Sequence, residues 1–283
     1  MSAGKRPAGI GKENYMLRRL TTILLVSILV VGVLVMFYPT ISNVYNSFRQ
    51  SGIGEVYRGQ VAEMENSEYV KLFEDAREYN EQLVKNLDCY NMIEKERKEY
   101  KAYLRVRDSD VIGFLEIPKV GIDLPLYLGA DENVLQAGIG HLEGTSLPVG
   151  GETTHTALTG HTGLPSSKLL TDVSKVKEGD NFLIKVLDEV YTYEVDQIIV
   201  VNPDELDALK IEEGADLATI ITCTPYGINT HRLLVRGFRV PTVATDDSSG
   251  ERVALIKPTI ELAMLLFFTP YLLFRHKKSK KRS

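Results

Sequence analysis

The sequence predicts a mainly β domain, a closed barrel, which follows a helical segment and lies between two membrane helices. Three patterns lead to this prediction: short stretches of alternating apolar residues from about residue 110, turn residues between those stretches, and an apolar run near each end of the chain. With 283 residues, the chain is long enough for one or two domains with a buried core.

The first apolar run, residues 20–38, predicts a membrane anchor. It contains no charged residue, and its roughly 19 residues nearly span a hydrocarbon core of about 30 Å. Basic side chains within residues 1–19 place the N-terminus in the cytoplasm. A cleaved signal peptide is the alternative, but the run is longer than a typical signal core and no Ala-x-Ala site closes it.

A second apolar run, residues 258–274, predicts a second membrane helix, although Glu261 and Pro270 interrupt it. Residues 244–257 precede it as a linker, and residues 275–283 follow as a basic cytoplasmic tail. The expected topology is in–out–in, so the chain is expected in the cell membrane with two passes and its main domain outside the cytoplasm.

Residues 42–107 are expected to be helical, because apolar residues recur there at spacings of three and four. The pattern becomes β near Asp110, and residues 108–243 are assigned to the barrel. The strand candidates are residues 182–186, 191–195, 218–221 and 233–240, with a turn at residues 188–189.

Charge and cysteine content exclude several classes of function. A formal net charge of −5 gives no reason to expect a nucleic-acid partner. The two cysteines, Cys89 and Cys223, lack Cys-x-x-Cys neighbours, so neither a disulfide framework nor a zinc site is expected. A single Cys89–Cys223 disulfide and a free reactive thiol both stay open.

Cys223 is a candidate nucleophile, because it ends an apolar β-branched stretch and is followed by the turn residues Pro225 and Gly227. A buried structural cysteine is the alternative. Thiol chemistry needs a proton partner, and the histidines between the two apolar runs leave four candidates: His141, His155, His161 and His231.

Arg232 is a candidate for stabilising an oxyanion, because a strand–loop–strand hairpin would bring it beside Cys223. A surface arginine in an ion pair is the alternative. His231 and Arg232 are neighbours on the expected strand, so only one of them can face the cysteine.

These residues resemble the motifs of a known family. Thr219–Cys223 resembles the TLxTC motif of sortases with Ile in place of Leu, Leu158–His161 resembles their histidine motif, and Arg232 falls where their arginine is expected. The resemblance covers the chain from about Tyr79 to Val240. It is closest to class C, the pilus-assembling sortases, through Ile117-Pro118, Leu124–Tyr127, Gly140–Leu142, Thr145–Gly151 and Cys223–Gly237.

The resemblance implies an eight-stranded β-barrel and a catalytic trio of His161, Cys223 and Arg232, with no metal or organic cofactor. It implies a transpeptidase in the membrane of a Gram-positive cell. Such an enzyme cleaves an LPxTG-like sorting signal between Thr and Gly and joins the Thr carbonyl to a lysine amine of another pilin. The expected partners are therefore pilins or other surface proteins bearing that signal, and the membrane.

Two positions depart from the class C pattern. Where a lid with an Asp-Pro-aromatic motif is usual, this chain has Asp88-Cys89-Tyr90, and Thr162 replaces an arginine that is common after the histidine. Three alternative functions stay open: a wall-anchoring sortase with a peptidoglycan precursor as acceptor, an L,D-transpeptidase, whose Ser-His-Gly-x-x-Cys-like cluster is missing, and a non-catalytic membrane-anchored scaffold.

Overall fold

The computed structural model describes residues 10–85, 94–164 and 167–242. Four predicted segments lie outside the described residues: the lid candidate at 88–90, the linker at 244–257, the second membrane helix at 258–274 and the tail at 275–283.

Helix α1, Ile10–Ala62, is one continuous helix of 53 residues. It contains the apolar run at residues 20–38, whose side chains are exposed. By length and composition, the stretch Tyr15–Ala62 qualifies as a membrane-crossing helix. The helix continues through Pro39, and the β domain begins to cover it from Ser42 onward. The predicted anchor at residues 20–38 and the start of the predicted helical segment at residue 42 thus belong to one continuous helix.

Helix α2, Asn66–Leu83, packs an apolar face that includes Phe73 and Ala76 against the core, as the spacing predicts. Its buried Asn80 is hydrogen-bonded on both sides of its amide: Nδ2 donates to the Leu147 carbonyl at 3.1 Å, and the Leu147 N–H donates to Oδ1 at 2.7 Å. A buried amide with both partners fixes how α2 sits on the loop before β4. Helix α3 covers Glu94–Tyr100, and α4 covers Glu132–Ala137.

Eight strands close into a barrel in the order β1-β2-β3-β4-β7-β8-β6-β5, which confirms the mainly β barrel. The β2–β3 and β4–β7 pairs are parallel, and all other neighbours are antiparallel. The strands are β1 Val111–Ile117, β2 Ile122–Leu128, β3 Ile139–His141, β4 Thr154–Thr159, β5 Asn181–Val186, β6 Glu189–Val201, β7 Asp216–Thr224 and β8 His231–Val240.

Strand β1 is buried on both faces, because α1 covers the outside of the barrel there. The Tyr57 hydroxyl of α1 donates to the Ile112 carbonyl at 2.8 Å, and its ring meets Phe114 edge-on at 5.7 Å between centroids. A strand covered on both faces shows no alternation of apolar and polar residues. This is why β1 is not evident from alternation.

Candidate active site

The β7–β8 hairpin sets Cys223 directly opposite Arg232 in the antiparallel register. The connecting turn is closed by hydrogen bonds from the N–H groups of Ile228 and Asn229 to the Pro225 carbonyl, at 3.0 and 2.9 Å. Side chains directly opposite on an antiparallel pair have Cβ atoms about 5 Å apart. The predicted hairpin is therefore present, and Arg232 rather than His231 is the partner of the cysteine.

His161 reaches the other side of Cys223 through the parallel β4–β7 pair. Thr159 pairs with Ile221, and the Gly160 N–H extends that ladder by donating to the Ile221 carbonyl at 3.1 Å. The Thr222 hydroxyl fixes the same turn by donating to the Gly160 carbonyl at 2.9 Å. The next residue, His161, thus lies level with Cys223 at one end of the sheet.

Gly160 is required at this turn by close packing. A Cβ added there would lie 2.8 Å from Leu170 Cδ1 and 2.9 Å from Ile139 Cδ1, closer than real Cβ atoms approach. Beyond the histidine, the Thr162 hydroxyl bonds to the Thr222 hydroxyl. Thr162 thus ties the segment after His161 back to β7, where the class C pattern has an arginine.

The sequence alone leaves four candidate histidines, and their hydrogen bonds in the structure distinguish them. His141 is fully buried, with Nδ1 bonded to the Tyr100 hydroxyl at 2.6 Å and Nε2 to the Ser146 carbonyl at 2.8 Å. Burial lowers the pKa of His141 to about 4. This imidazole is a neutral structural group at physiological pH.

His155 is also structural, with Nδ1 bonded to the Lys210 carbonyl and Nε2 to the Thr219 hydroxyl, both at 2.8 Å. Burial lowers the pKa of His155 as well. His231 is exposed, with Nδ1 bonded to the neighbouring Thr230 hydroxyl at 2.9 Å. His161 differs from all three, because it is half-buried at the end of the sheet and its enclosed Nε2 has no hydrogen bond within the described residues.

Glu132, the first residue of α4, is a site residue that sequence reasoning missed. Its Oε2 lies 3.5 Å from His161 Nε2, within ion-pair distance but outside hydrogen-bond geometry. Gln136 donates to the other carboxylate oxygen at 2.8 Å. This hydrogen bond, and then the nearby His161, hold the pKa of Glu132 below its usual range. Glu132 is 29 positions from His161 along the chain, so only the fold reveals the contact.

The Arg232 guanidinium is held by neutral groups of its own loop. Nη1 donates to the Asn229 carbonyl at 3.3 Å and to the His231 carbonyl at 3.1 Å. Within the described residues no carboxylate forms an ion pair with Arg232, so the alternative of a surface ion pair does not apply there. Among the described residues, the guanidinium therefore has N–H groups left to bind an anion.

An apolar surface adjoins the thiol. Cys223 is a free, half-buried thiol, and residues two apart on a strand share a face, so Ile221 lies on its side of β7. Ile221 forms a cluster with Ala157, Leu209 and Leu234, against which further half-buried side chains pack: Leu142, Ile199, Val201 and Ala208. The site thus combines a thiol, an imidazole and a guanidinium beside an apolar surface, which is suited to acyl transfer on an extended apolar peptide.

Two further predictions concern what binds at this site. Among the described residues, no group of three or more His, Cys, Asp or Glu side chains is placed to hold a metal ion. The proposed partner of a disulfide, Cys89, and the lid candidates Asp88 and Tyr90 lie outside the described residues.

Comparison with known proteins places the chain in a family. The sortase domain model matches residues 115–240. The crystal structure of sortase C1 from Streptococcus agalactiae is 48% identical, with a TM-score of 0.64, over 67% of this chain and 98% of that chain. Sortase C from Streptococcus pneumoniae is 42% identical, with a TM-score of 0.60, over 68% of this chain and 98% of that chain.

A curated relative of another class is more distant: sortase A from Bacillus anthracis is 27% identical over 66% of this chain and 87% of its own length. Together with the closed eight-stranded barrel, these matches confirm the resemblance that the motifs indicate. The chain belongs to the sortase family of cysteine transpeptidases, and its neighbours among solved structures are class C sortases.

Proposed function

We propose that the chain is a pilus-assembling sortase with Cys223 as nucleophile, His161 as general acid and base, and Arg232 as the group that stabilises the oxyanion. The observation that supports this assignment is the strand register, which sets Arg232 opposite Cys223 on one side and His161 level with it on the other. The proposed substrate is a pilin with an LPxTG-like sorting signal.

The first half-reaction forms a thioester. The Cys223 thiolate attacks the threonine carbonyl carbon of the sorting signal, so a C–S bond forms and the carbonyl oxygen becomes an oxyanion. The Arg232 guanidinium, which within the described part of the chain bonds only to neutral carbonyls, can turn its N–H groups to that oxyanion. The C–N bond to glycine then breaks, and protonated His161 gives its proton to the leaving amine.

The second half-reaction transfers the acyl group. A lysine amine of another pilin attacks the thioester carbonyl, and His161 accepts the proton that the amine loses. The C–S bond breaks, and Cys223 leaves as the thiolate. An isopeptide bond joins the two pilins, and His161 and Cys223 return to their starting protonation states, so the cycle needs no cofactor.

The apolar surface beside the thiol supports a peptide substrate of this kind. The leucine and proline of an LPxTG-like signal precede the threonine and are apolar. The cluster that includes Ala157, Ile221 and Leu234 offers the leucine and proline an apolar surface on the face of the sheet that carries Cys223. Binding there would place the threonine carbonyl near the thiol.

Similarity to class C enzymes supports a lysine acceptor. The structure of the Streptococcus pneumoniae sortase C is described in terms of pilin substrate specificity, and the chain is markedly closer to the two sortase C enzymes than to the Bacillus anthracis sortase A, at 48 and 42% against 27% identity. A wall-anchoring sortase with a peptidoglycan acceptor is the second candidate, because sortase A relatives match over most of their length. The two differ in the acceptor amine and share the thioester step.

The apolar segment of α1 supports attachment to the outer side of the cell membrane. Basic residues precede this segment and the barrel follows it, so the barrel would lie outside the cytoplasm. The proposed organisation keeps residues 1–19 in the cytoplasm and residues 20–38 in the bilayer, with the barrel at residues 108–243. The second pass at residues 258–274 and the lid at Asp88–Tyr90 are parts of the same proposal.

The test uses the full chain in membranes with a pilin that carries an LPxTG motif. Wild type should form a mass-detectable thioester on Cys223 and pilin polymers on denaturing gels, and Cys223→Ala should form neither. A matched control is Thr230→Ala, which changes an exposed residue of the same hairpin and should keep both products. A thioester without polymers, with transfer to a peptidoglycan-derived amine, would establish the wall-anchoring alternative. No thioester with any sorting-signal variant would reject the assignment of Cys223.

A further inference from the structure

Helix α1 touches the β domain at a series of points along its length. Nearest to the apolar run, the Lys168 N–H donates to Asn43 Oδ1 at 3.0 Å. Further along, Gln50 Nε2 donates to the Ala137 carbonyl at 3.4 Å, and then the Tyr57 hydroxyl donates to the Ile112 carbonyl at 2.8 Å. Because α1 is one continuous helix, these contacts fix the distance of each part of the domain from the proposed anchor.

The rise of an α-helix converts these contacts into heights. At 1.5 Å per residue, Asn43 lies about 8 Å beyond the end of the apolar run at Tyr38, Gln50 about 18 Å and Tyr57 about 29 Å. A typical helix tilt of about 20° shortens these heights by only a few per cent. Lys168 is therefore within the thickness of a lipid headgroup layer, whereas Ile112 is far above it.

The contact between Lys168 and Asn43 keeps one edge of the barrel near the proposed anchor, and this edge carries His161 and Cys223. Leu164 and Ser167 form a β-bridge just before Lys168, and the Leu170 N–H just after it donates to the His161 carbonyl at 3.1 Å. Gly163 lies against the ring of Tyr226 in the turn after Cys223, so close that a Cβ on the glycine would be 3.2 Å from Tyr226 Cε2. Lys168, His161 and the Cys223 turn thus occupy one edge of the barrel.

The side chains exposed near this edge suit a headgroup layer. On α1, Tyr45 and Phe48 are exposed beyond the apolar run, and on the turn after Cys223, Tyr226 and Ile228 are about two-thirds exposed. Lys168 is exposed as well. Aromatic side chains are enriched where membrane meets water, and lysine attracts anionic headgroups.

We propose that the His161–Cys223 edge of the barrel rests at the phospholipid headgroup layer, with Lys168, Tyr45 and Tyr226 in contact with lipid. This inference rests on the proposed membrane anchor. It adds a selection rule: the enzyme takes sorting signals that lie close to the substrate's own membrane segment, because the thiol is held at that height.

A depth measurement tests the placement. The full chain, with Cys89→Ser and Cys223→Ala, receives a single cysteine for a fluorescent label at Lys168, Ala137 or Asp108; all three are exposed, and Asp108 adjoins Arg107, which pairs with Glu63 beyond the end of α1 at 3.0 Å. In phosphatidylcholine vesicles with nitroxide on the headgroup, the label at residue 168 should lose more than half its fluorescence. Residue 137 should lose little and residue 108 none. Equal quenching at 168 and 108, or none at 168 in chains that float with the vesicles, would overturn the placement.

A spacer experiment tests the selection rule. Seven helix-forming residues inserted after Tyr38 raise the domain by about 10 Å and turn it by only about 20°, while the same insertion after Lys12 leaves its height unchanged. Each enzyme is reconstituted with two membrane-anchored substrates, which carry the LPxTG motif either directly before their membrane segment or seven helical residues further out. Wild type and the Lys12 insertion should cleave the short substrate faster, and the Tyr38 insertion should reverse that preference.

The outcomes separate this inference from the proposed function. If a soluble LPxTG peptide acylates Cys223 in all three enzymes but the preference does not reverse, the inference fails and the transpeptidase stands. If the chain does not float with vesicles, the anchor and the inference fail together. If no thioester forms with the soluble peptide, the proposed function fails, while the quenching pattern still decides the placement.

Discussion

Strands β4, β7 and β8 carry the same kind of trio twice, once in the middle of the sheet and once at its end. Each trio has a histidine on or just after β4, a hydroxyl or thiol residue on β7, and an arginine on β8 directly opposite that residue. The middle trio is His155, Thr219 and Arg236, and the end trio is His161, Cys223 and Arg232.

The middle trio is closed, in the sense that its side chains bond to other groups of the protein. Its histidine is bonded at both ring nitrogens, one of them to Thr219. Its arginine is held by two carboxylates, Asp196 at 2.7 Å and Glu212 at 2.9 Å, which raise the pKa of Arg236. Every group therefore has a partner, and none is available to a substrate.

The end trio is open. Its histidine has a ring nitrogen without a hydrogen bond in the described structure, its thiol is free, and its arginine bonds only to loop carbonyls. Residue type alone therefore does not make the site. Among the described residues, the strand ends leave these groups without partners, and a reaction can use groups of this kind.

The comparison predicts that the two histidines fail in different ways, and this is the largest expected effect. His161→Ala should lower kcat/KM for thioester formation by about 10²- to 10⁴-fold with little change in stability, because it removes the proton donor and leaves no buried group unpaired. His155→Ala should keep the rate of the folded enzyme but lower the free energy of unfolding by about 1–3 kcal/mol, since Thr219 and the Lys210 carbonyl lose their partner.

Single-turnover acylation and urea unfolding of the full chain measure both quantities. His231→Ala serves as the control, because this exposed histidine bonds only its neighbour, and it should change neither quantity. If the three variants lost activity equally, the proposed role of His161 would be rejected.

The two arginines should differ in the same sense, with a somewhat smaller effect on the rate. Arg232→Ala should slow acylation by about 10²- to 10³-fold, the loss expected for one oxyanion donor, and leave stability nearly unchanged. Arg236→Ala should destabilise the fold by about 1–3 kcal/mol, because Asp196 and Glu212 lose their shared partner. Arg232→Lys is informative as well, since it keeps the charge and should recover only part of the rate.

Much of this contrast could be predicted from the sequence, but not all of it. The predicted hairpin brought Arg232 to Cys223, and the resemblance of Leu158–His161 to the sortase histidine motif selected His161 among the four histidines. The closed state of His155 could not be predicted, because its partner Lys210 is 55 positions away along the chain. Glu132 was missed for the same reason.

The fold shows a similar division. Strand β5, Asn181–Val186, was predicted from Phe182, Ile184 and Val186 at alternate positions, although the buried Leu183 blurs that alternation. Strands β1, β2 and β3 and the second half of β6 were missed. Strand β1 is covered on both faces, and a bulge between Val195 and Gln197 shifts the register of β6. How clearly apolar and polar residues alternate along a strand thus depends on which of its faces the rest of the fold covers.

The buried, hydrogen-bonded histidines should also make the stability of the fold sensitive to acid. At physiological pH this effect is smaller than those of the substitutions above. The pKa of His141 in the folded chain is about 4, against 6.5 normally, so between these values the unfolded chain binds a proton that the folded chain does not. Stability should therefore fall as the pH falls through this window, by on the order of 3 kcal/mol in total from this residue. His155, whose pKa is also lowered, acts in the same direction.

Urea unfolding from about pH 7 to about pH 4.5 measures this dependence as a slope. His141→Gln should lower the slope by up to one proton, because it removes the group whose pKa differs between the folded and the unfolded chain. An unchanged slope in His141→Gln would show that the Tyr100–His141–Ser146 network does not keep this imidazole neutral.

The smallest expected effect concerns the only carboxylate that faces the open trio in the described structure. Glu132 is largely exposed and lies 3.5 Å from His161 Nε2, so this contact is a weak one. Glu132→Gln should therefore lower activity about two- to fivefold with little change in stability, because His161 loses the carboxylate beside its ring. Gln136→Ala is the matched control, because it removes the hydrogen bond to Glu132 but keeps the carboxylate. An equal loss of activity in Gln136→Ala would mean that both residues act by supporting α4. A loss confined to Glu132→Gln would show that even the open trio depends on one group outside its three strands.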